Sequence, residues 1–504
     1  MSAEPAPPLA EPAPAAATPA AVAPTAAQLR RTKLSLPLVS AYGAGTLVDS
    51  VMSGALGLYL FFYVTAVCGL PNSLAGLSIF LGLLIDSMVD PIVGSLSDNT
   101  HSRLGRRHPF MFAAALPLAI LLGVIFSIPT GLHGWGLFAF VTLVAIALRI
   151  CHSCFNLPYV ALGAELTDDY NERTTVVSAR FLVAPIGTTA IILLGTGFFL
   201  YGPKVFHHAA YLPMGWTLGA ITLIGAVIAT FGTLPALKRL HQVKARGGNA
   251  FARTWADVLE IFRNRSFVSL FACLILIFTA AGVAGVLGLH AYKFFWDLPP
   301  GMIPIVQLAA VPGAFIGAIV SLVVVPKFEK RTVVIVGLVL FAALQAWLPL
   351  LRNAGLLASG PLVDGLLMLN AATITFVTAG VSIAFQSAMA DAADEHEHLF
   401  GTRREGLYFA GLNFSAKAAV GLGSLIAGIG LDLIHFPTAI ASQPDAIKHI
   451  RPEVIRNLGL LFGPGPAAIT AVAVLIFIGY RLTKAQHATI QAELNARRAA
   501  AENI

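Results

Sequence analysis

The chain consists largely of long apolar segments separated by short polar breaks. A helix needs about 20 apolar residues to cross the hydrocarbon core of a bilayer. Only 11% of the residues are charged, whereas soluble domains carry about 25%. The sequence therefore predicts an all-α membrane protein with twelve transmembrane helices. The twelve predicted segments are 36–65, 74–98, 109–129, 134–163, 176–201, 213–237, 266–294, 301–326, 332–351, 362–390, 406–435 and 460–481.

The longest polar break, residues 238–265, divides the chain into an N-terminal six-helix half (33–237) and a C-terminal six-helix half (266–481). The fourth segment of each half ends in an acidic cluster followed by arginine: "AELTDDYNER" in the first and "MADAADEHEHLFGTRRE" in the second. A chance similarity of two charged loops is the alternative to an internal repeat. Two equivalent halves with a site between them are typical of secondary transporters.

The basic residues predict the orientation of the chain in the membrane. Loops after the even-numbered segments are rich in Lys and Arg, as in "RLGRR" (103–107), and the break 238–265 is predicted to be a cytoplasmic linker. By the positive-inside rule these loops and both termini are cytoplasmic. The Ala/Pro-rich residues 1–32 are predicted to be a disordered tail, and residues 482–504 a second cytoplasmic tail. The opposite loops contain only Lys204, Arg352, Lys448, Arg451 and Arg456.

Two carboxylates lie inside the second segment, in "LLIDSMVDPIVGSLSD". Asp86 and Asp90 are four residues apart, so they share one face of the helix. Adjacent carboxylates repel each other unless a cation or a shared proton lies between them. Pro91 removes a backbone donor and is expected to bend the helix. Ionisable groups in mid-membrane usually serve function, and the alternative is a structural pair satisfied by another helix.

Further charges lie within the predicted segments. Lys417 lies well inside the eleventh segment and needs an anionic partner, for which Asp86 and Asp90 are the candidates. Arg180 lies early in the fifth segment, where snorkelling to the interface is the alternative interpretation. Asp49, in the first segment, is a further candidate for a buried acid.

The fourth segment contains "CHSCFNLPYVAL" (151–162). Ser153 and Asn156 offer oxygen ligands that suit a hard cation, although either side chain also suits a hydrogen bond to a neighbouring helix. The Cys-x-x-Cys pattern lacks a second Cys/His cluster, so its thiols and His152 are interpreted as packing residues and no resident metal is expected.

With these residues identified, the chain resembles the glycoside–pentoside–hexuronide:cation symporters, a branch of the major facilitator superfamily that includes melibiose permease. The resemblance extends from about residue 33 to 481. It implies the major facilitator fold and alternating access between two six-helix halves. The motifs that carry it are "DSMVDPIVGSLSDNTHSRLGRRHPF" (86–110), "ELTDDYNERTTVVSARF" (165–181) and "MADAADEHEHLFGTRREGLYFAGLNFSAKAAVGLG" (389–423).

The resemblance also implies roles for individual residues, and the matches are closest at the cation site. The positions of the family's sugar-contacting acids hold Ser50 and Asn156, and two tryptophan positions hold Val160 and Ser382. The cation half of the site is therefore retained and the sugar half altered. The expected cation-binding residues are Asp86, Asp90, Ser153 and Lys417; the expected substrate-binding residues are Arg180, Asn156, Asp49 and Tyr159; the expected cytoplasmic gate is Arg173, Asp391, Asp394 and Arg403.

The expected function is symport of a sugar or glycoside with Na⁺ or H⁺, without a cofactor. Transport of a less polar solute, such as a lysolipid, is the alternative, because the same branch includes lysolipid symporters. An intramembrane aspartyl enzyme is disfavoured, because carboxylates at i and i+4 point in parallel instead of facing across a cleft. We expect a monomer in the inner (plasma) membrane whose partners are the solute, the coupling cation and the lipid bilayer, and not nucleic acid.

Overall fold

The computed structural model describes residues 33–167, 169–239, 262–401, 405–440, 450–480 and 482–502. These residues form helices and connecting turns, without strands, which confirms the all-α class. The predicted tail 1–32 and most of the predicted linker 238–265 lie outside the described residues.

We number the membrane spans 1 to 12 in chain order. Span 1 is divided at Gly45 and continues as two π-helical turns. The bounds of span 1 are Leu36–Ala44, Thr46–Ala55, Leu56–Leu60 and Tyr63–Val67; spans 2 to 6 are Asn72–Asn99, His108–Ile125, Gly134–Glu165, Tyr170–Leu194 and His208–Thr233. Spans 7 to 11 are Arg265–His290, Met302–Val324, Lys330–Asn353, Pro361–Phe400 and Glu405–Leu433; span 12 is Pro452–Phe462 and Pro464–Phe477. The shorter turns are Gly195–Phe199, Gly202–Phe206, Leu234–Arg239, Ala291–Phe295 and Val325–Lys327.

Eleven helical segments of the described chain are long and apolar enough to cross a membrane. They correspond to spans 2 to 12, and the interruptions in span 1 divide it into pieces that are individually too short. The twelve predicted spans therefore agree with the structure. Span 2 is helical through Pro91, so the expected bend does not interrupt it.

The two halves repeat the same set of helix pairs. In the N-terminal half, spans 1·5, 1·6, 2·4, 3·4 and 3·6 pack together. The C-terminal half contains the corresponding pairs 7·11, 7·12, 8·10, 9·10 and 9·12. This correspondence supports the internal repeat inferred from the acidic clusters. The halves meet mainly where span 2 packs on span 11, and in part where span 5 meets span 8.

Small residues allow spans 2 and 11 to approach closely. A Cβ atom built on Gly76 would lie 2.5 Å from the backbone oxygen of Ser424, and one on Gly428 would collide with the backbone oxygen of Asn72. Glycine is thus required at both positions, as is common where membrane helices pack backbone to backbone. This packing brings the middle of span 2 against the middle of span 11.

Two helix ends differ from the sequence-based expectation. Span 10 continues to Phe400 and stops at Gly401, whose positive φ of 72° is a left-handed conformation that suits glycine. Span 12 begins at Pro452 instead of residue 460. The chain after span 12, predicted only as a tail, forms a helix, Lys484–Glu502, that packs on span 10.

Candidate functional site

The paired carboxylates of span 2 face a hydroxyl from span 4. The side chain of Asp86 is fully buried, and that of Asp90 is 18% exposed. The Ser153 Oγ atom lies 2.6 Å from Asp86 Oδ1 and 2.7 Å from Asp90 Oδ1. Spans 2 and 4, which carry these groups, pack directly on each other. Three oxygen-bearing side chains therefore converge at one point inside the N-terminal half.

The cationic partner of the pair comes from the other half of the molecule. Lys417 Nζ on span 11 lies 2.6 Å from Asp90 Oδ2 and 3.0 Å from Asp86 Oδ2. The structure thus brings together the four residues expected at the cation site. Their role in cation binding stays a prediction.

A second cation at this site was missed in the sequence. Arg149 lies midway along span 4, one helical turn before Ser153, and its side chain is 13% exposed. Its Nη1 atom lies 3.6 Å from Asp86 Oδ2. The signal was present, because an arginine in the middle of an apolar segment is costly and usually has a partner. Arg149 and Lys417 therefore both approach the same oxygen of Asp86.

The polar network continues from span 4 to span 1. His152 Nε2 lies 3.1 Å from Asp49 Oδ1, although the ring angle is poor for a hydrogen bond. The side chain of Asp49 is 45% exposed, whereas that of His152 is buried. His152 was interpreted as a packing residue, and the structure gives it an acidic neighbour in addition.

The expected substrate-binding residues lie on spans 1, 4 and 5. Tyr159 is fully buried, and its hydroxyl donates to the Tyr42 backbone oxygen at 2.8 Å and contacts Thr46 Oγ1 at 2.9 Å. Arg180 stacks on this ring, with Cζ 5.6 Å from its centroid. Asn156 is half-buried one turn before Tyr159. The tyrosine hydroxyl is thus engaged within the protein, and the substrate-binding roles of the four residues stay predictions.

The acids of the expected gate pair with the C-terminal half and with the helix that follows it. Asp391 Oδ2 accepts from Lys330 Nζ at 2.6 Å. Asp394 Oδ2 accepts from Gln491 Nε2 at 2.6 Å and contacts His487 Nε2 at 3.1 Å. The helix Lys484–Glu502 therefore covers the end of span 10. Arg173 donates to the Thr167 backbone oxygen at 3.3 Å, and Arg403 lies outside the described residues.

We call the face with the 103–107 loop the basic face. Hydrogen bonds join the two halves at the opposite face. Asn72 Nδ2 donates to Asp432 Oδ1 at 3.0 Å, and Thr196 Oγ1 donates to Gln307 Oε1 at 2.7 Å. The Thr65 hydroxyl lies 3.3 Å from His290 Nε2. The two halves are thus held together at the opposite face as well as at Lys417.

A cavity of about 1290 Å³ lies between the halves, lined mainly by residues of spans 5, 7, 8 and 10, with further residues from spans 1, 9 and 12. Its wall is mostly apolar. The polar side chains in it include Gln307, Asn370, Thr375, Ser382 and Gln386. Arg180 and the carboxylate pair are outside this lining. The described residues contain no group of three or more His, Cys, Asp or Glu side chains that could hold a metal ion.

Known proteins resemble this chain over most of its length. The MFS/sugar transport protein family matches residues 41–484. An uncharacterized symporter of Synechocystis, sll1374, is 24% identical, over 93% of this chain and 98% of that protein. The isoprimeverose transporter of Lactiplantibacillus pentosus is 22% identical, over 87% of each chain.

A solved structure supports the fold. The nucleoside transporter NupG has a TM-score of 0.59 at 15% identity, over 88% of this chain and 99% of that one. This identity is low enough that the likeness concerns the fold alone. On the sequence match and the fold together, the chain belongs to the MFS/sugar transport protein family, within its glycoside–pentoside–hexuronide symporter branch, and has the major facilitator fold.

Proposed function

We propose that the protein is a secondary active transporter that couples movement of a sugar or glycoside to movement of a cation, Na⁺ or H⁺, by alternating access. The observation that carries the proposal is the ion pair between the two halves. Lys417 belongs to the C-terminal half, and its partners Asp86 and Asp90 belong to the N-terminal half. A rocking motion of the halves must therefore strain or break this contact.

The ion pair provides a physical basis for coupling. If Lys417 withdraws, the carboxylates are left with unbalanced charge in a region of low dielectric constant, which is costly. A cation bound by Asp86, Asp90 and Ser153 offsets that cost. Cation and solute then favour the same conformation, and their shared free energy is the coupling.

The family supports a glycoside-type solute, and one relative is named for isoprimeverose. We assign the solute contacts to Arg180, Asn156 and Asp49, and we assign Tyr159 to the support of Arg180, which stacks on its ring. The basic face is proposed to be cytoplasmic, with both termini on that side. Arg173, Asp391, Asp394 and Arg403 are proposed to close that face when the halves rock together.

The test is transport by the purified protein in liposomes. We expect one or more labelled glycosides, pentosides or hexuronides to accumulate when a Na⁺ or H⁺ gradient is imposed, and Asp90→Asn to lose accumulation. The matched control is Asp98→Asn, because Asp98 is 57% exposed and pairs with Arg107 at the basic face. Normal gradient-driven accumulation by Asp90→Asn would contradict the proposal.

A less polar solute, such as a lysolipid, is the second candidate. The mostly apolar wall of the cavity between the halves favours it, because apolar lining recognises apolar surface. A melting-temperature screen against glycosides, uronides and lysolipids distinguishes the two. Stabilisation by lysolipid alone supports the second candidate, and stabilisation by a glycoside supports the first.

A further inference from the structure

We propose that Arg149 is a fixed counter-cation that sets the ion selectivity of the carboxylate pair and makes the pair a poor site for Na⁺. The inference rests on the proposed cation coupling, and it concerns which cation the site accepts. Arg149 is the specificity-determining residue because its charge acts on Asp86, one of the two carboxylates.

Arg149 differs from Lys417 in the half of the molecule to which it belongs. Arg149 and Asp86 lie on spans 4 and 2, which pack together within the N-terminal half. Lys417 lies on span 11 and reaches Asp86 across the boundary between the halves. When the halves move as bodies, the contact of Asp86 with Lys417 changes, whereas its contact with Arg149 is retained.

The retained contact changes the charge that an incoming ion meets. With both cations present, two carboxylates are balanced by Lys417 and Arg149. Once Lys417 withdraws, the two carboxylates and Arg149 together carry a net charge of −1. A site with the same two carboxylates but without this arginine would carry −2. The electrostatic attraction for Na⁺ is correspondingly weaker.

Coulomb's law gives the size of the effect. A Na⁺ between the carboxylates would lie about 6 Å from the guanidinium, and in an effective dielectric constant of about 20 this repulsion lowers affinity about 100-fold. Arginine stays charged in proteins, so the repulsion is permanent. The Asp86 Oδ2 atom is moreover 3.6 Å from Arg149 Nη1, and this cation stays beside the oxygen after Lys417 withdraws.

The other neighbours of the pair do not restore a metal site. Ser153 Oγ lies within 2.7 Å of one oxygen of each carboxylate, so these three oxygens would have to move apart to make room for a Na⁺ ion among them. Asp49 acts electrostatically on Arg149 from span 1, and His152 on span 4 lies 3.1 Å from Asp49. Asp49 therefore already interacts with basic groups and does not add a free carboxylate to the site.

The experiment measures Na⁺ binding directly, without a solute. The melting temperature of the purified full-length protein is followed as NaCl replaces choline chloride at constant ionic strength. We expect no Na⁺-specific shift for the wild type and a Na⁺-specific upward shift for Arg149→Gln, with about 100-fold higher apparent affinity. Arg149→Lys, which keeps the charge, is the matched control and should behave as wild type.

Two results overturn the inference: Na⁺-specific stabilisation of the wild type, or a folded Arg149→Gln variant that gains no Na⁺ response. If Arg149→Gln does not fold, ²²Na⁺ binding to the wild type decides, because saturable binding overturns the inference and its absence supports it. These outcomes leave the proposed coupling intact. That proposal fails separately, if neither a Na⁺ nor an H⁺ gradient drives accumulation by the wild type.

Discussion

Replacement of Lys417 by methionine tests whether the ion pair holds the two halves together. Methionine has a similar length but no charge, so Asp90 loses its partner at 2.6 Å while Asp86 keeps Arg149 at 3.6 Å. Removing one partner of a fully buried ion pair costs about 3–5 kcal/mol. Lys417 is 26% and Asp90 18% exposed, so solvent screening reduces the expected loss to about 2–3 kcal/mol.

The assay is denaturant unfolding of the purified protein in mixed micelles, followed by tryptophan fluorescence. A double-mutant cycle with Asp90→Asn isolates the pair, and we expect the two losses to overlap by about 2 kcal/mol. Lys204→Met is the control: Lys204 is exposed in the loop between spans 5 and 6, and its loss should stay within about 0.5 kcal/mol. Fully additive losses for Lys417 and Asp90 would refute the reasoning, because the pair would then contribute nothing to the contact between the halves.

Two further predictions concern contacts away from this pair. Asp432→Asn weakens the bond from Asn72 at the opposite face. A charge-assisted hydrogen bond contributes about 1.5 kcal/mol, so alkylation of Cys68, which precedes Asn72 by four residues, should accelerate about tenfold. An unchanged rate would contradict a closed opposite face. Deletion of residues 484–504 removes the groups that cover Asp394. We expect faster proteolysis of the deletion variant at the basic face. Equal cleavage of the variant and the wild type would show that the helix does not protect this face.

The carboxylate pair could be predicted because its geometry is set within one helix. Residues four apart share a face whatever surrounds them, and a lysine deep in an apolar span needs an anion. Arg149 could have been predicted by the same rule, because an arginine in the middle of an apolar span also needs an anionic partner. The 3.6 Å approach of Arg149 to Asp86 depends on how spans 2 and 4 pack, which the sequence does not determine.

Other features depend on partners distant in the sequence. The hydroxyl of Tyr159 is engaged by Tyr42 and Thr46 from span 1, and Asp394 by the helix that follows span 12. Neither partner is visible from local spacing. Span 12 was placed too late because Glu453 and Arg456 lower the hydropathy of its first turns. Hydropathy detects the part of a helix that is apolar enough to lie in lipid, and span 12 begins several residues before its apolar part.

The distribution of charge between the halves constrains any coupling mechanism. Asp86, Asp90 and Arg149 belong to one half and sum to −1, whereas Lys417 supplies +1 from the other. Separation of the halves at this point therefore uncovers one unit of negative charge, and one monovalent cation suffices to restore neutrality. A site without Arg149 would need two. Under the proposed coupling, the arginine thus favours a stoichiometry of one cation in each transport cycle, and its removal is expected to change both the identity of the ion and the number required.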